Sequence, residues 1–397
     1  MGVTWQIHHH DVAATPWPIE DESIQCVVTS PPYWGLRDYG IAGQLGLERT
    51  PEEYVEKMVS VFREVRRVLR RDGTVWLNLG DCYATGAGRA FSPGGGKQGD
   101  TYRKMGAQVP DSKNPKSGIP VYQPNRMPID GLKPKDLVGI PWRVAFALQA
   151  DGWWLRSDIV WSKPNAMPES ITDRPTRAHE CVFLLTKSRH YFYDADAIRT
   201  PAAESSIARI NQPGFDQQTG GQKDYRNHGQ SVNGENKSSN VSNRSMRRTL
   251  EHFADKQRGH GRRHEGFNGR WDALSKEQQQ AGGANARTVW SIATEPYPEA
   301  HFATFPTELA SRCILAGSRE GDTVLDPFMG SGTVALVADM HGRHSIGLEL
   351  NPEYIALAEK RIRAPRSEAE AERRGLEDAW QMALGIEPDT LKVEMPK

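Results

Sequence analysis

The sequence predicts an α/β fold in which helices cover both faces of a doubly wound, mostly parallel, seven-stranded sheet. Short apolar segments recur along the chain and stop at polar, proline-rich or glycine-rich stretches, which is typical of strands. Stretches with apolar residues at helical spacing lie between several of these segments, and such alternation favours a parallel sheet. The predicted strands are residues 5–7, 24–29, 74–79, 155–161, 181–186, 323–325 and 345–348.

The helix signals are strongest between the second and third predicted strands. Thr50 suits an N-cap, Pro51 occupies the first helical position, and Glu53 completes a capping box. Apolar residues then recur on one face as far as Leu69, and Gly73 follows the predicted helix. Four more helices are predicted at residues 141–149, 308–316, 333–341 and 353–362.

The composition limits the class of protein. The 397 residues are enough for one large α/β domain with an insertion, or for two domains. The four cysteines lie far apart without a C-x-x-C pair, which favours buried thiols in a reducing compartment over disulfides or a zinc site. Because the chain has no apolar run of about 20 residues and no secretory signal, we expect a soluble, cytoplasmic protein with no membrane partner and no metal.

Two long stretches interrupt the alternation of strands and helices. Residues 86–135 hold nine Lys or Arg against three Asp or Glu, and residues 201–290 hold fourteen against nine. The tail at 364–397 has eight acidic and five basic residues, and the formal net charge of the whole chain is zero. Loops this long are usually functional or disordered. The two basic insertions are therefore either contacts for a polyanion or solvated linkers.

The first motif, Thr29-Ser30-Pro31-Pro32-Tyr33, directly follows the second predicted strand. Two prolines cannot sit in a central ladder, so the motif marks a strand end, where open α/β sheets bind their ligands. Since proline fixes φ and pushes the preceding residue into extended geometry, the Ser30 hydroxyl and the Tyr33 ring form a nearly rigid array. Such an array suits a planar ring that carries an amino group. The alternative is a proline turn that only caps the strand.

The second motif runs from Asp326 to Thr333 and reads Asp-Pro-Phe-Met-Gly-Ser-Gly-Thr. Its glycines let the backbone pass close to a ligand, and the following helix start offers free N–H groups. Glu349 ends the next strand 23 residues after Asp326, near the spacing at which an acidic residue meets ribose hydroxyls. With a carboxylate and no P-loop lysine, the turn favours a positively charged nucleoside. Alternatively, Asp326 only caps the turn and Glu349 is a solvated strand end.

Together the two motifs resemble those of the DNA amino-methyltransferases, which methylate the N4 amine of cytosine or the N6 amine of adenine. The first motif precedes the second, which is the circularly permuted order of the β group of that family. The resemblance implies the sheet of S-adenosylmethionine-dependent methyltransferases and S-adenosylmethionine as the cofactor. It implies catalytic roles for Ser30, Pro31, Pro32 and Tyr33, and cofactor contacts from Asp11, Phe305, Asp326, Phe328, Gly330, Gly332, Thr333 and Glu349.

The same resemblance divides the chain into functional parts and implies duplex DNA as the substrate. The parts are the catalytic half of the methyltransferase domain at 1–85 and 136–200, its cofactor-binding half at 286–363, a basic DNA-facing loop at 86–135, a partly disordered target-recognition region at 201–285 and an acidic tail at 364–397. DNA contacts are expected from Arg103, Lys104, Arg244, Arg247, Arg248, Arg262 and Arg263. A cognate restriction endonuclease as a second partner, and a monomer or a homodimer, stay open.

The expected reaction is direct methyl transfer to an amine of a base that is flipped out of the duplex. The chain has no Pro-Cys nucleophile motif, which agrees with transfer without a covalent enzyme intermediate. Serine before Pro-Pro is commoner in the cytosine-N4 enzymes of this family, so Ser30 favours cytosine over adenine. The other interpretations are an adenine-N6 enzyme, methylation of RNA or a small amine, a catalytically silent DNA-binding protein, and a nicotinamide dehydrogenase with an unusual glycine pattern.

Overall fold

The computed structural model describes residues 3–37, 39, 41–84, 124–201, 207–208, 283–295 and 306–363. The chain divides into two compact units, the first formed by Met1–Ile198 with Ala286–Lys397 and the second by Arg199–Asn285. The sheet and its helices belong to the first unit. Within the described part of the second unit, Thr200 and Ala284 form an isolated antiparallel bridge.

One sheet forms the centre of the first unit, and eight strands of it lie in the described residues. They are β1 Trp5–His9, β2 Ile24–Thr29, β3 Leu69–Leu79, β4 Trp154–Ser162, β5 His179–Thr186, β6 Val289–Ser291, β7 Thr323–Asp326 and β8 His344–Glu349. Their order is β1-β8-β7-β2-β3-β5-β4-β6. Neighbouring strands are parallel, except that β5 is antiparallel to both β3 and β4. The predicted mostly parallel sheet is confirmed, but the described residues form eight strands instead of the predicted seven.

The additional strand is β6, which pairs with the last three residues of β4. It is only three residues long, and its side chains are exposed, buried and exposed in turn. So short a segment gives too little periodicity to separate a strand from a loop. Its central residue, Trp290, is buried with its ring 6.1 Å from that of Trp76.

Five α-helices are described: α1 Pro51–Val68, α2 Ile140–Ala150, α3 Thr307–Gly317, α4 Thr333–Met340 and α5 Pro352–Ile362. Alternate residues of β2 point to opposite sides of the sheet. Val27 packs in one core cluster with residues of α1 and α2, whereas Cys26 and Val28 pack in a second with residues of α3 and α4. The sheet is therefore doubly wound, as predicted. No described helix combines the length and apolarity needed to cross a bilayer, and the four cysteines are buried and free.

The start of α1 differs in detail from the predicted capping box. The Thr50 hydroxyl accepts a hydrogen bond from the Glu53 backbone N–H at 3.2 Å, as an N-cap does. The Glu53 carboxylate accepts from the N–H of Arg49 at 3.0 Å, one residue before the expected donor. Gly73 lies inside β3, because the strand begins at Leu69 directly after the helix.

The strand order brings the two sequence motifs to the same rim of the sheet. β2 and β7 are parallel neighbours, with Cys26 paired to Val324 and Val27 paired to Leu325. The residues that follow both strands therefore leave the sheet side by side, together with the ends of β1, β3 and β8. Because β5 runs in the opposite direction, its first residues also lie at this rim.

Candidate active site

A cavity of about 790 Å³ opens at this rim. Its walls include ten of the predicted site residues: Asp11, Ser30, Pro31, Pro32, Tyr33, Asp326, Phe328, Gly330, Thr333 and Glu349. Phe305 and the predicted DNA contacts Arg103, Lys104, Arg244, Arg247, Arg248, Arg262 and Arg263 lie outside the described residues. Both motifs therefore face one space, although 297 positions separate Thr29 from Asp326.

A direct hydrogen bond joins the two motifs. The Thr29 hydroxyl donates to Oδ1 of Asp326 at 2.7 Å, and the Phe328 backbone N–H donates to the same oxygen at 3.0 Å. Asp326 thus caps its own turn as well as lining the cavity. Burial, opposed by these two hydrogen bonds, raises the pKa of the Asp326 carboxyl to about 7.

The two glycines of the second motif serve different purposes. Gly330 has φ +51° and faces the cavity, and a Cβ built on it would have no neighbouring atom nearer than 4.0 Å. The structure places Gly332 against α5, and its predicted cofactor contact stays a prediction. A Cβ there would lie 2.9 Å from that of Ala358, and the Gly332 N–H donates to the Met329 carbonyl. Gly332 shapes the turn and lets the helices pack.

Glu349 fastens the glycine turn to the end of β8. Its Oε2 accepts from the Gly330 N–H at 2.7 Å and its Oε1 accepts from the Asn351 N–H at 2.8 Å. Burial raises the pKa of this carboxyl. Each carboxylate oxygen has a second lone pair, so both can still accept from a ligand hydroxyl. The ribose contact of Glu349 stays a prediction.

The remaining predicted cofactor residues also have protein partners. Oδ1 of Asp11 accepts from the Ala13 N–H at 2.9 Å. The Thr333 hydroxyl, at the start of α4, accepts from the Arg361 guanidinium at 2.8 Å. These contacts orient both side chains at the cavity wall.

The proline motif is held rigidly at the cavity wall. The Tyr54 hydroxyl, from α1, donates to the Pro32 carbonyl at 2.9 Å. The Tyr33 ring lies against Gly80, where a Cβ would come within 2.5 Å of the ring carbon Cε2. Ser30 Oγ is 3.1 Å from the Tyr33 hydroxyl oxygen. The hydroxyl and the ring thus sit in a fixed relation at the cavity wall.

Three further polar residues lie at this wall, and none of them is among the predicted site residues. Glu180, at the start of β5, accepts from the Tyr33 hydroxyl at 2.7 Å and from Asn78 Nδ2 at 3.0 Å. Lys163, just after β4, forms an ion pair with the same carboxylate. The signal that could have found Glu180 is the reversed direction of β5, because only an antiparallel strand brings its first residues to this rim.

The residues of the cavity fit a positively charged nucleoside such as S-adenosylmethionine. Five carboxylates among the described residues line it, and three of them, Asp11, Asp326 and Glu349, suit the polar and cationic groups of such a ligand. The backbone at Gly330 leaves space that a side chain would fill. The volume is within the range of small-molecule sites, roughly 300–1,000 Å³.

Comparisons with known proteins place the chain in the class of DNA methylases. The family model described as DNA methylase, of N6/N4 type, matches residues 24–360, so the chain belongs to this family. The predicted resemblance is therefore confirmed.

Similar proteins agree with this assignment. The chain is 42% identical over 340 residues to the type II methyltransferase M.Cfr9I of Citrobacter freundii, covering 86% of this chain and 81% of that protein. It is 41% identical over 344 residues to M.SmaI of Serratia marcescens, covering 87% and 86%. The solved PvuII DNA methyltransferase, described as cytosine-N4-specific, shares the fold with a TM-score of 0.50 at 17% identity, covering 97% of this chain and 94% of that chain.

Replacing Gly80 by alanine is expected to lower the rate of DNA methylation by about 10- to 100-fold, because the new Cβ would displace the Tyr33 ring. The measurement is the incorporation of a labelled methyl group into DNA, together with the melting temperature. Gly131→Ala is the control: its φ of +78° strains an alanine there and should lower the melting temperature, but a Cβ meets nothing within 4 Å and the rate should be kept. Full activity in Gly80→Ala would contradict the idea that methylation depends on the position of the Tyr33 ring.

Proposed function

We propose that this protein transfers a methyl group from S-adenosylmethionine to the exocyclic N4 amine of cytosine within a specific sequence of duplex DNA. The observation that carries the proposal is the Thr29–Asp326 hydrogen bond of 2.7 Å, which sets the acidic turn beside the serine of the proline motif. One cavity then has room for a charged nucleoside and for an amine next to it.

The residues of the acidic turn are proposed to hold the cofactor. S-Adenosylmethionine supplies a methyl group on a positively charged sulfur. Asp326 offers negative charge to its cationic groups, Glu349 offers acceptors to the ribose hydroxyls, and Asp11 offers an acceptor to the adenine. Phe328 lines the same wall and gives an apolar surface.

The residues of the proline motif are proposed to bind and activate the amine. The amine of cytosine is a poor nucleophile because its lone pair is delocalised into the ring. Ser30 Oγ and the Pro31 carbonyl accept its hydrogens, which favours the pyramidal form, and positioning supplies much of the rate. The base reaches the cavity by leaving the duplex, and stacking on Tyr33 offsets part of that cost. No bond to the enzyme is formed.

The choice between cytosine and adenine rests on Ser30, because a serine before Pro-Pro is commoner in the cytosine-N4 enzymes that the motif resembles. The experiment is to methylate DNA with the purified protein, digest it to nucleosides and identify the methylated product by mass spectrometry. N4-methylcytosine supports the proposal, whereas N6-methyladenine replaces cytosine by adenine as the target. Modification-aware sequencing of the same DNA identifies the recognition site. The absence of any methylated nucleoside would overturn the proposed activity.

Cofactor binding is expected to weaken as the pH falls below about 7, by up to about tenfold per pH unit. The pKa of the Asp326 carboxyl is raised to about 7, so the group is ionised above that pH and neutral below it. A cationic ligand binds the ionised form, and protonation therefore competes with binding. Calorimetric titration of S-adenosylmethionine from about pH 5.5 to about pH 8.5 tests this. Asp326→Asn should flatten the profile, and a flat profile in the unaltered protein would contradict the expectation.

A further inference from the structure

The carboxylate of Glu180 is held in one orientation by three donors. Its Oε2 accepts from the Tyr33 hydroxyl at 2.7 Å and from Asn78 Nδ2 at 3.0 Å. Its Oε1 pairs with the Lys163 ammonium, which also lies 4.2 Å from the centre of the Trp161 ring. The side chains of Glu180 and Lys163 are only 17% and 19% exposed, so their charges compensate each other at a partly buried site.

The hydrogens of this network can be assigned by counting donors. An ionised carboxylate only accepts, so the single hydrogen of the Tyr33 hydroxyl points to Glu180. Burial first, and then the charge of Glu180, holds the pKa of the Tyr33 phenol well above its usual value, so this hydrogen stays in place. Ser30 Oγ, 3.1 Å from the Tyr33 oxygen, must then donate its own hydrogen to Tyr33.

Because its one hydrogen is used in this way, the Ser30 hydroxyl can only accept a hydrogen bond from a ligand. A ligand group facing Ser30 from the cavity therefore has to be a donor. An amino group satisfies this requirement. A carbonyl oxygen in the same place would face a second acceptor, and a buried acceptor without a donor is costly.

We propose that Glu180 is a positioning residue which, through Tyr33, fixes Ser30 as a hydrogen-bond acceptor and so makes the site select an amino group over a carbonyl group on the target base. This inference rests on the proposed function and extends it to residues that do not touch the amine. The lysine and asparagine partners keep the carboxylate in place.

The test compares the binding of two duplexes that carry the recognition site, which is identified by selecting bound duplexes from a pool of random sequences. One has the target base, and the other has its deaminated counterpart, in which a carbonyl replaces the amino group. Competition binding is expected to show that the unaltered protein prefers the amino base by at least about tenfold. Tyr33→Phe removes the hydroxyl that orients Ser30, so Ser30 can also donate, and the preference should fall towards one.

Three further measurements make the result specific to this network. Glu180→Gln, which can accept from or donate to Tyr33, should lower the preference in part, and its effect should vanish in the Tyr33→Phe background. If the melting temperature shows that Tyr33→Phe does not fold, Glu180→Gln alone tests the proposal. Tyr193→Phe alters a tyrosine that is 40% exposed outside the cavity lining, and it should keep the preference of the unaltered protein.

The possible outcomes separate the two proposals. An unchanged preference in folded Tyr33→Phe and Glu180→Gln, or no preference in the unaltered protein, overturns the role of Glu180. A protein that methylates no amine overturns the proposed function, whereas the preference between the two duplexes is still measured by binding alone.

Discussion

Replacing Ser30 by alanine is expected to slow methyl transfer by about 10²- to 10³-fold while the cofactor still binds. The hydroxyl lies at the cavity wall, next to the residue that bonds Asp326, and is the proposed acceptor for the hydrogens of the amine. Without it the lone pair of the amine stays delocalised in the ring. The measurement is the single-turnover rate of methyl transfer together with a calorimetric titration of S-adenosylmethionine, and Tyr33→Ala should give the same separation of the two quantities.

The chain offers a matched control for this experiment at the other end of the same strand. Ser23 precedes β2, and its hydroxyl donates to the Glu20 carbonyl at 2.7 Å, far from the rim that carries the site. Ser23→Ala should leave both the rate and the cofactor affinity unchanged. If Ser30→Ala and Tyr33→Ala both lost cofactor affinity, the proline motif would belong to the cofactor site and the proposed division of the cavity would be wrong.

Replacing Asp326 by asparagine is expected to weaken cofactor binding by about 30- to 1,000-fold, because a buried charged partner of a cationic ligand is removed. Asparagine retains a side-chain oxygen that can accept from the Thr29 hydroxyl and the Phe328 N–H. The junction between β2 and β7 is therefore preserved, so the loss of cofactor affinity measures the effect of removing the charge. Calorimetry with S-adenosylmethionine measures the effect, and a gel-shift assay should show that DNA binding is kept.

Asp339→Asn is the control, since this exposed aspartate lies on α4, the helix that follows the same turn. It should bind the cofactor as the unaltered protein does. Undiminished cofactor affinity in Asp326→Asn would show that the carboxylate serves only the turn and the link to Thr29, which is the interpretation that the sequence alone leaves open.

The parts of the site that the sequence could predict are those that local chemistry dictates. The proline pair after β2 and the glycine turn after β7 each mark a strand end by backbone constraints alone. The parallel order then places both ends at one rim, which the Thr29–Asp326 contact confirms. Gly332 shows the limit of this reasoning, because whether a motif glycine faces a ligand or a neighbouring helix depends on where α5 packs.

The part of the cavity wall around Tyr33 also depends on features that local patterns do not carry. Glu180 looks like an ordinary polar residue at the start of an apolar strand, and only the antiparallel pairing of β5 with β3 brings it to Tyr33. Asn78 reaches Glu180 through the same pairing, whereas Lys163 follows β4, which pairs with the other edge of β5. Non-local strand direction, unlike a proline turn or a helix cap, has no signature in a short stretch of sequence.

The central claim is that the cofactor and the flipped base bind in one cavity, the cofactor at Asp326 and the base at Ser30. The most direct measurement is an experimental structure of the full chain with an unreactive S-adenosylmethionine analogue and a duplex that carries the recognition site. We expect the target amine nitrogen within hydrogen-bond distance of Ser30 Oγ and about 3–3.5 Å from the atom that replaces the transferred methyl carbon. An analogue bound away from Asp326, or a base that never enters this cavity, would contradict the claim.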